Sequence, residues 1–114
     1  MKENVILIKS FDFALEIIRI YKEMKSQNEF VLSKQLLRSG TSIGANVEEA
    51  TAAFSKKDFA AKMSISSKEA RETKYWLRLI QHSKIVDVEV SEALEKTEEL
   101  IRILTAIVKS AQGK

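Results

Sequence analysis

Apolar residues recur in steps of three and four along almost the whole chain, and no proline interrupts them. That period matches the 3.6-residue turn of an α-helix, whereas a half-buried strand would need strict alternation. No strand signal of comparable strength is present, so the possible folds narrow at once to packed helices.

Four helical segments follow from the pattern. The first covers about 10–26, with Ser10 as its cap and Phe11, Ala14, Leu15, Ile18 and Tyr21 as its apolar stripe. Residues 1–9 either extend it or form an arm, and their pattern does not choose. After the polar break Ser26-Gln27-Asn28, a second segment covers 29–54 with the stripe Leu36, Gly40, Ile43, Val47, Ala50 and Phe54. Ser55 is a natural N-cap for a third segment over 56–82, with Asp58 in its first turn. Its stripe is Phe59, Met63, Ser66, Ala70, Thr73, Leu77 and Ile80. Asp87 is the expected cap of a fourth segment over 88–111. There Val90, Leu94, Thr97, Ile101, Leu104, Val108 and Ala111 form a heptad-like seam. Short links make sequential helices antiparallel neighbours, so the expected fold is all-α: one antiparallel up-down four-helix bundle spanning 1–114.

Composition excludes several classes. The one apolar run near the N-terminus, Val5–Ile8, is too short for a signal segment or a membrane span, so a cytoplasmic, membrane-free protein is expected. Zero cysteines leave no disulfide framework and no thiolate metal site. A carboxylate di-iron centre needs Glu-x-x-His on two helices. The single histidine, His82, has Leu79 three residues before it and reads as an exposed helix end. Ser39, Thr41 and Ser42 lack a base to activate them. Glu72 is expected to pair with Lys68, four residues before it, and Glu69 to pair across the bundle. Trp76 borders the apolar stripe, while Tyr75 offers a ring for base stacking without a strand platform behind it. No enzymatic activity, metal or cofactor is expected.

Two of the three glycines, Gly40 and Gly44, lie four apart in RSGTSIGANVEEA (38–50). Glycine costs about 1 kcal/mol against alanine inside a helix. Close approach of a neighbouring helix, inside the bundle or between subunits, is the expected compensation. A phosphate loop is excluded: GxxxxGK[ST] is missing and no strand precedes the stretch.

Charge is uneven. Residues 56–85 hold eight Lys/Arg against three Asp/Glu, although the net charge of the chain is only +3. On a helical wheel Lys56, Lys57, Lys68, Arg71, Lys74 and Arg78 fall to one side, away from the apolar stripe. Lys62 falls near the stripe's edge, and Glu69 and Glu72 fall off the basic side. Such a face neutralises phosphates by counterion release. It equally serves as a solvated surface, or pairs with the acidic fourth segment of a neighbouring subunit.

SKQLLRSGTSIGANVEEA (33–50), SKKDF (55–59) and KEARETKYWLRLI (68–80) together resemble the bacterial 23S rRNA-intervening sequence proteins. The likeness extends from KSFDFA (9–14) to ELIRILTAIVKS (99–110). It implies a four-helix bundle, often assembled as a ring-shaped homopentamer, with no established enzymatic activity. Some members are encoded inside intervening sequences of large-subunit rRNA genes. A related branch serves diversity-generating retroelements, where it binds a reverse transcriptase and is expected to bind nucleic acid. The family's polar signature falls on Gln35, Arg38, Ser42, Asn46, Glu48 and Glu49, beside Gly40 and Gly44. An inter-helix or inter-subunit hydrogen-bond network fits these positions, with Arg38 or Arg71 as partner for Glu48; solvated surface residues fit them too.

The resulting expectation is a non-enzymatic homo-oligomer that binds RNA or DNA through Lys57, Lys68, Arg71, Lys74 and Arg78. The alternative is an adaptor for a protein such as a reverse transcriptase, without direct nucleic-acid contact.

Overall fold

A computed structural model describes residues 2–113 of the chain, with side chains from Val5 onward. It contains four α-helices: α1 (Lys2–Ser26), α2 (Leu32–Thr51), α3 (Lys56–Ser83) and α4 (Ser91–Ala111). Among the described residues there is no strand. Each helix packs on the next, α4 closes more loosely on α1, and among the described residues the diagonal pairs make no close backbone contact. The result is a square up-down bundle, 45 × 21 × 20 Å.

Several helix ends depart from the sequence expectation. Residues 2–9 are helical, so Ser10 is no cap; it is buried inside α1, where its hydroxyl donates to the Leu7 carbonyl at 3.3 Å. Glu29 stands outside α2 and caps it. Its carboxylate accepts from the backbone N–H groups of Val31, Leu32 and Ser33 at 3.2, 3.0 and 2.8 Å. A negative charge on those unpaired donors is favourable, which is why a nearly buried glutamate is tolerated there. Asp87 caps nothing either. Its backbone N–H and carbonyl are bracketed by the Gln27 side-chain amide at 2.7 and 2.8 Å, which ties the two loops at this end together. α4 then starts at Ser91, whose N–H donates to Glu89 at 2.8 Å. Ser55 does cap α3 as expected, accepting from the Asp58 N–H at 3.0 Å.

The core is built from Ile6, Phe13, Ile17, Ile20 and Met24 of α1, Leu36, Ile43 and Val47 of α2, Met63, Leu77 and Ile80 of α3, and Leu100 and Leu104 of α4. This corrects the expected stripe of the first helix. Phe11, Leu15 and Ile18 point outward, because α1 carries two apolar rows and the other one faces the core. Along α4 the buried row is Ala93, Thr97, Leu100, Leu104 and Ile107, preceded by buried Val90, with Leu94, Ile101 and Val108 half-buried at its flank. Phe54 lies beyond the end of α2 and is fully exposed rather than core.

Gly40 and Gly44 make room for the row of α1 that turns inward. A methyl group at Gly40 would stand 2.8 Å from Cγ1 and Cγ2 of Ile17. One at Gly44 would stand 3.3 Å from the Ser10 carbonyl oxygen. The two glycines therefore let α1 lie against α2 inside the bundle.

On the other side of α2 the fit to α3 uses hydroxyls. Ser66 donates to the Ile43 carbonyl at 2.8 Å, and the Thr73 and Ser39 hydroxyls lie 2.9 Å apart, all buried. Every such group is satisfied locally, so two helices approach closely without a buried unpaired polar atom.

Candidate nucleic-acid interface

α3 sorts its charges by side. Its acids Glu69 and Glu72 turn toward α2, where Arg38 reaches both; the contact to Glu69 is 3.3 Å. Gln35 accepts from Arg38 Nε at 3.4 Å, and Glu72 also accepts from the Trp76 indole N–H at 3.0 Å. Glu69 thus pairs across the bundle as expected. Glu72 does not pair with Lys68: its carboxylate is taken by the guanidinium of Arg38 and the indole N–H of Trp76. On the same seam Lys62 donates to Glu49 at 2.8 Å, and this bond raises the lysine's pKa above its ordinary value.

The outward side of α3 carries no acid. Lys57, Ala61, Ser64, Lys68, Arg71, Tyr75, Arg78 and His82 follow one another in steps of three and four, and all but half-buried Ser64 are exposed. Among the described residues Lys57, Lys68, Arg71 and Arg78 form no ion pair. Arg71 makes only a long 3.5 Å hydrogen bond to the Thr105 hydroxyl of α4. Lys74 differs from the other expected ligands. It is half-buried against α4 and donates to Glu98 at 2.9 Å, and this hydrogen bond and charge hold the Glu98 carboxyl below its ordinary range. Arg102 of α4 also lies within electrostatic reach of Glu98. Of the five residues expected to bind nucleic acid, four therefore stand free on one row and the fifth is neutralised at its flank.

Across the whole length of this bundle, chain pattern and geometry can be set against known proteins. Residues 2–106 match the family model for the 23S rRNA-intervening sequence protein. The chain belongs to that family. It is also similar to a protein of unknown function from the S23 ribosomal protein family of Bacteroides thetaiotaomicron VPI-5482, whose crystal structure was determined at 1.70 Å. The two are 45% identical, with a TM-score of 0.90, over 96% of this chain and 99% of that one. No curated protein matches the chain.

Within this family member, the polar signature divides. Gln35, Arg38, Ser42 and Asn46 line the α2 side facing α3. Ser42 donates to the Arg38 carbonyl at 2.6 Å and Asn46 to the Ser42 carbonyl at 2.9 Å. These bonds hold α2's own turns in place while Arg38 reaches across. Glu48 is exposed on the opposite flank, beyond Arg38, which is committed to Glu69 and Glu72, and beyond Arg71, which faces α4. The expected Glu48 pairing is thus absent.

Of the residues beside the cationic row, Tyr75 is legible in the sequence as a ring for base stacking, and Glu98 is not. Tyr75 occupies the middle of the cationic row, a position its 3–4 spacing from Arg71 and Arg78 makes readable. Glu98 was not readable, since nothing in the chain says which α4 acid meets Lys74. Among the described residues no three His, Asp or Glu side chains are placed to hold a metal ion, and no helix is long and apolar enough to cross a membrane.

Proposed function

We propose that this chain is a self-associating, non-enzymatic binding protein whose ligand is RNA or DNA, held on the outer row of α3. The observation that carries this reading is the sorting of charge. Arg38 neutralises the acids of α3 on the α2 side, while Lys57, Lys68, Arg71 and Arg78 stand exposed without counter-ions among the described residues. A row of that kind binds phosphates through counterion release, with little sequence preference.

Self-association rests on a different surface. Val5, Ile8, Phe11, Leu15 and Ile18 form an apolar row on the outside of α1, each between 37% and 63% exposed. A contiguous apolar face of this sort is characteristic of protein–protein contact. α1 and α3 are diagonal in the bundle, so contact of α1 with itself, or with a surface other than α3, leaves the row of α3 free. Meeting itself, the α1 row closes a dimer; meeting a different surface, it generates a ring such as a pentamer. Repetition of the α3 row would then raise affinity through avidity.

The test is fluorescence anisotropy of labelled RNA and DNA at low and near-physiological salt, comparing the wild type with Arg71→Glu/Arg78→Glu. Binding that weakens steeply with salt and is lost in the variant is expected. Absence of binding to every nucleic acid at low salt would leave the second reading, a protein-binding adaptor, for example for a reverse transcriptase. The exposed row of α1 is the feature that favours it.

A further inference from the structure

Tyr75 is 51% exposed at the centre of a cationic row, and core packing does not explain it. Arg71 lies one turn before it and Arg78 one turn after it, with Lys68 a further turn back. Its ring is braced from one side: Trp76 meets it edge to face, with centroids 5.2 Å apart and planes at 64°. Trp76 is itself held by its indole N–H on Glu72, which Arg38 ties to α2. The tyrosine ring is thus backed by an indole anchored to α2, and cations stand one turn to either side of it.

The row also has an aromatic at its beginning. Phe54 is fully exposed three residues before Lys57, in the loop that leads into α3. From Lys57 to Arg78 the helix rises about 30 Å. A cationic row with one exposed ring between its last two arginines, and a second exposed ring ahead of its first lysine, suits a single strand. Each unpaired base has a face to stack on an aromatic, while its phosphate meets the adjacent Lys or Arg. A duplex offers the same phosphates but keeps its base faces stacked on one another, so the rings would contact nothing they favour.

Resting on the reading of α3 as a nucleic-acid surface, we propose that its ligand is single-stranded, with one base stacked on Tyr75 and the flanking phosphates on Arg71 and Arg78. Phe54 is a second stacking position where the strand enters or leaves the row.

The experiment measures anisotropy of a labelled unstructured 15-nucleotide strand, as RNA and as DNA, and of the blunt duplex of the same sequence. The proteins are wild type, Tyr75→Ala, Tyr75→Phe and Arg71→Ala/Arg78→Ala. The wild type should prefer the single strand. Tyr75→Ala should weaken single-strand binding about tenfold or more while leaving duplex binding and the salt slope unchanged. Tyr75→Phe should retain the affinity, because stacking needs the ring and not the hydroxyl. The arginine variant should weaken both ligands and flatten the salt slope. Single-strand binding by Tyr75→Ala equal to wild type, with both ligands weakened by loss of the arginines, would overturn the stacking proposal and leave α3 as a phosphate-binding row. Binding to neither ligand at low salt would overturn the underlying reading of α3 as well.

Discussion

Gly40 has room for a hydrogen and not for a methyl, because Ile17 of α1 occupies the space beyond it. Overpacking costs about 1–3 kcal/mol, which the gain of about 1 kcal/mol in helix propensity offsets only in part, so Gly40→Ala should lower stability in urea unfolding. Gly44→Ala is a different case. The new methyl would meet the Ser10 carbonyl at 3.3 Å, and the gain of about 1 kcal/mol in helix propensity opposes that strain. Near-neutrality is expected there. If Gly40→Ala were as stable as wild type, close approach of Ile17 would not be what selects glycine. Glu98 makes a second residue-scale test. Glu98→Gln removes the counter-charge of Lys74, so affinity for nucleic acid should rise and the log–log salt slope should steepen by about one charge. An unchanged slope would place Lys74 outside the binding face.

At the scale of the element, α1 is the informative helix, since it is apolar on two sides. Ile17→Ala removes buried volume and should cost about 2–5 kcal/mol. Leu15→Lys, two residues away on the exposed row, should leave unfolding almost unchanged and instead lower the solution mass measured by light scattering. A folded Leu15→Lys protein with unaltered mass would leave this row for another protein and favour the adaptor. The choice between the two rows is not visible in periodicity, which reports that a helix has an apolar face but not which of two faces wins. α3 was easier to read. Its apolar and basic sides are separated in the sequence itself, so the row of Lys57, Lys68, Arg71 and Arg78 could be drawn on a wheel. The withdrawal of Lys74 into a pair with Glu98 could not, because its partner lies on another helix.

For the molecule as a whole, pH dependence follows from the pairs that cross between its helices and cap their ends. Glu98 is held below its ordinary value of 4.5 by Lys74, and Glu89 by hydrogen bonds from the hydroxyl and then the backbone N–H of Ser91. A depressed carboxylate stabilises the fold at pH above 4.5, and that contribution is lost as pH falls through the folded value. Lys96 is raised above 10.5 by its hydrogen bond to Glu16, and Lys62 by Glu49. Their contributions are complete below 10.5 and are lost as pH rises through the folded values. The urea midpoint should therefore form a plateau across neutral pH and decline at both ends. The steps should be small, because these groups are solvent-screened. A midpoint that climbs as pH drops from 6 to 4 would contradict this assignment.

The sequence by itself determined the helical class, the number of helices, the cap at Ser55, the need for close packing at Gly40 and Gly44, and the basic side of α3. All of these depend on local chemistry or on a period that a single helix carries along its own length. Only the tertiary structure decided that α1 turns Ile17 rather than Leu15 inward, and that Glu29 caps α2. Only it showed that Arg38 answers Glu69 and Glu72 and that Lys74 meets Glu98. Except for the Glu29 cap, a local choice between competing caps, each is a choice among partners on other helices. Such choices are made when helices pack, by which side chains fit the space and charge that a neighbour presents.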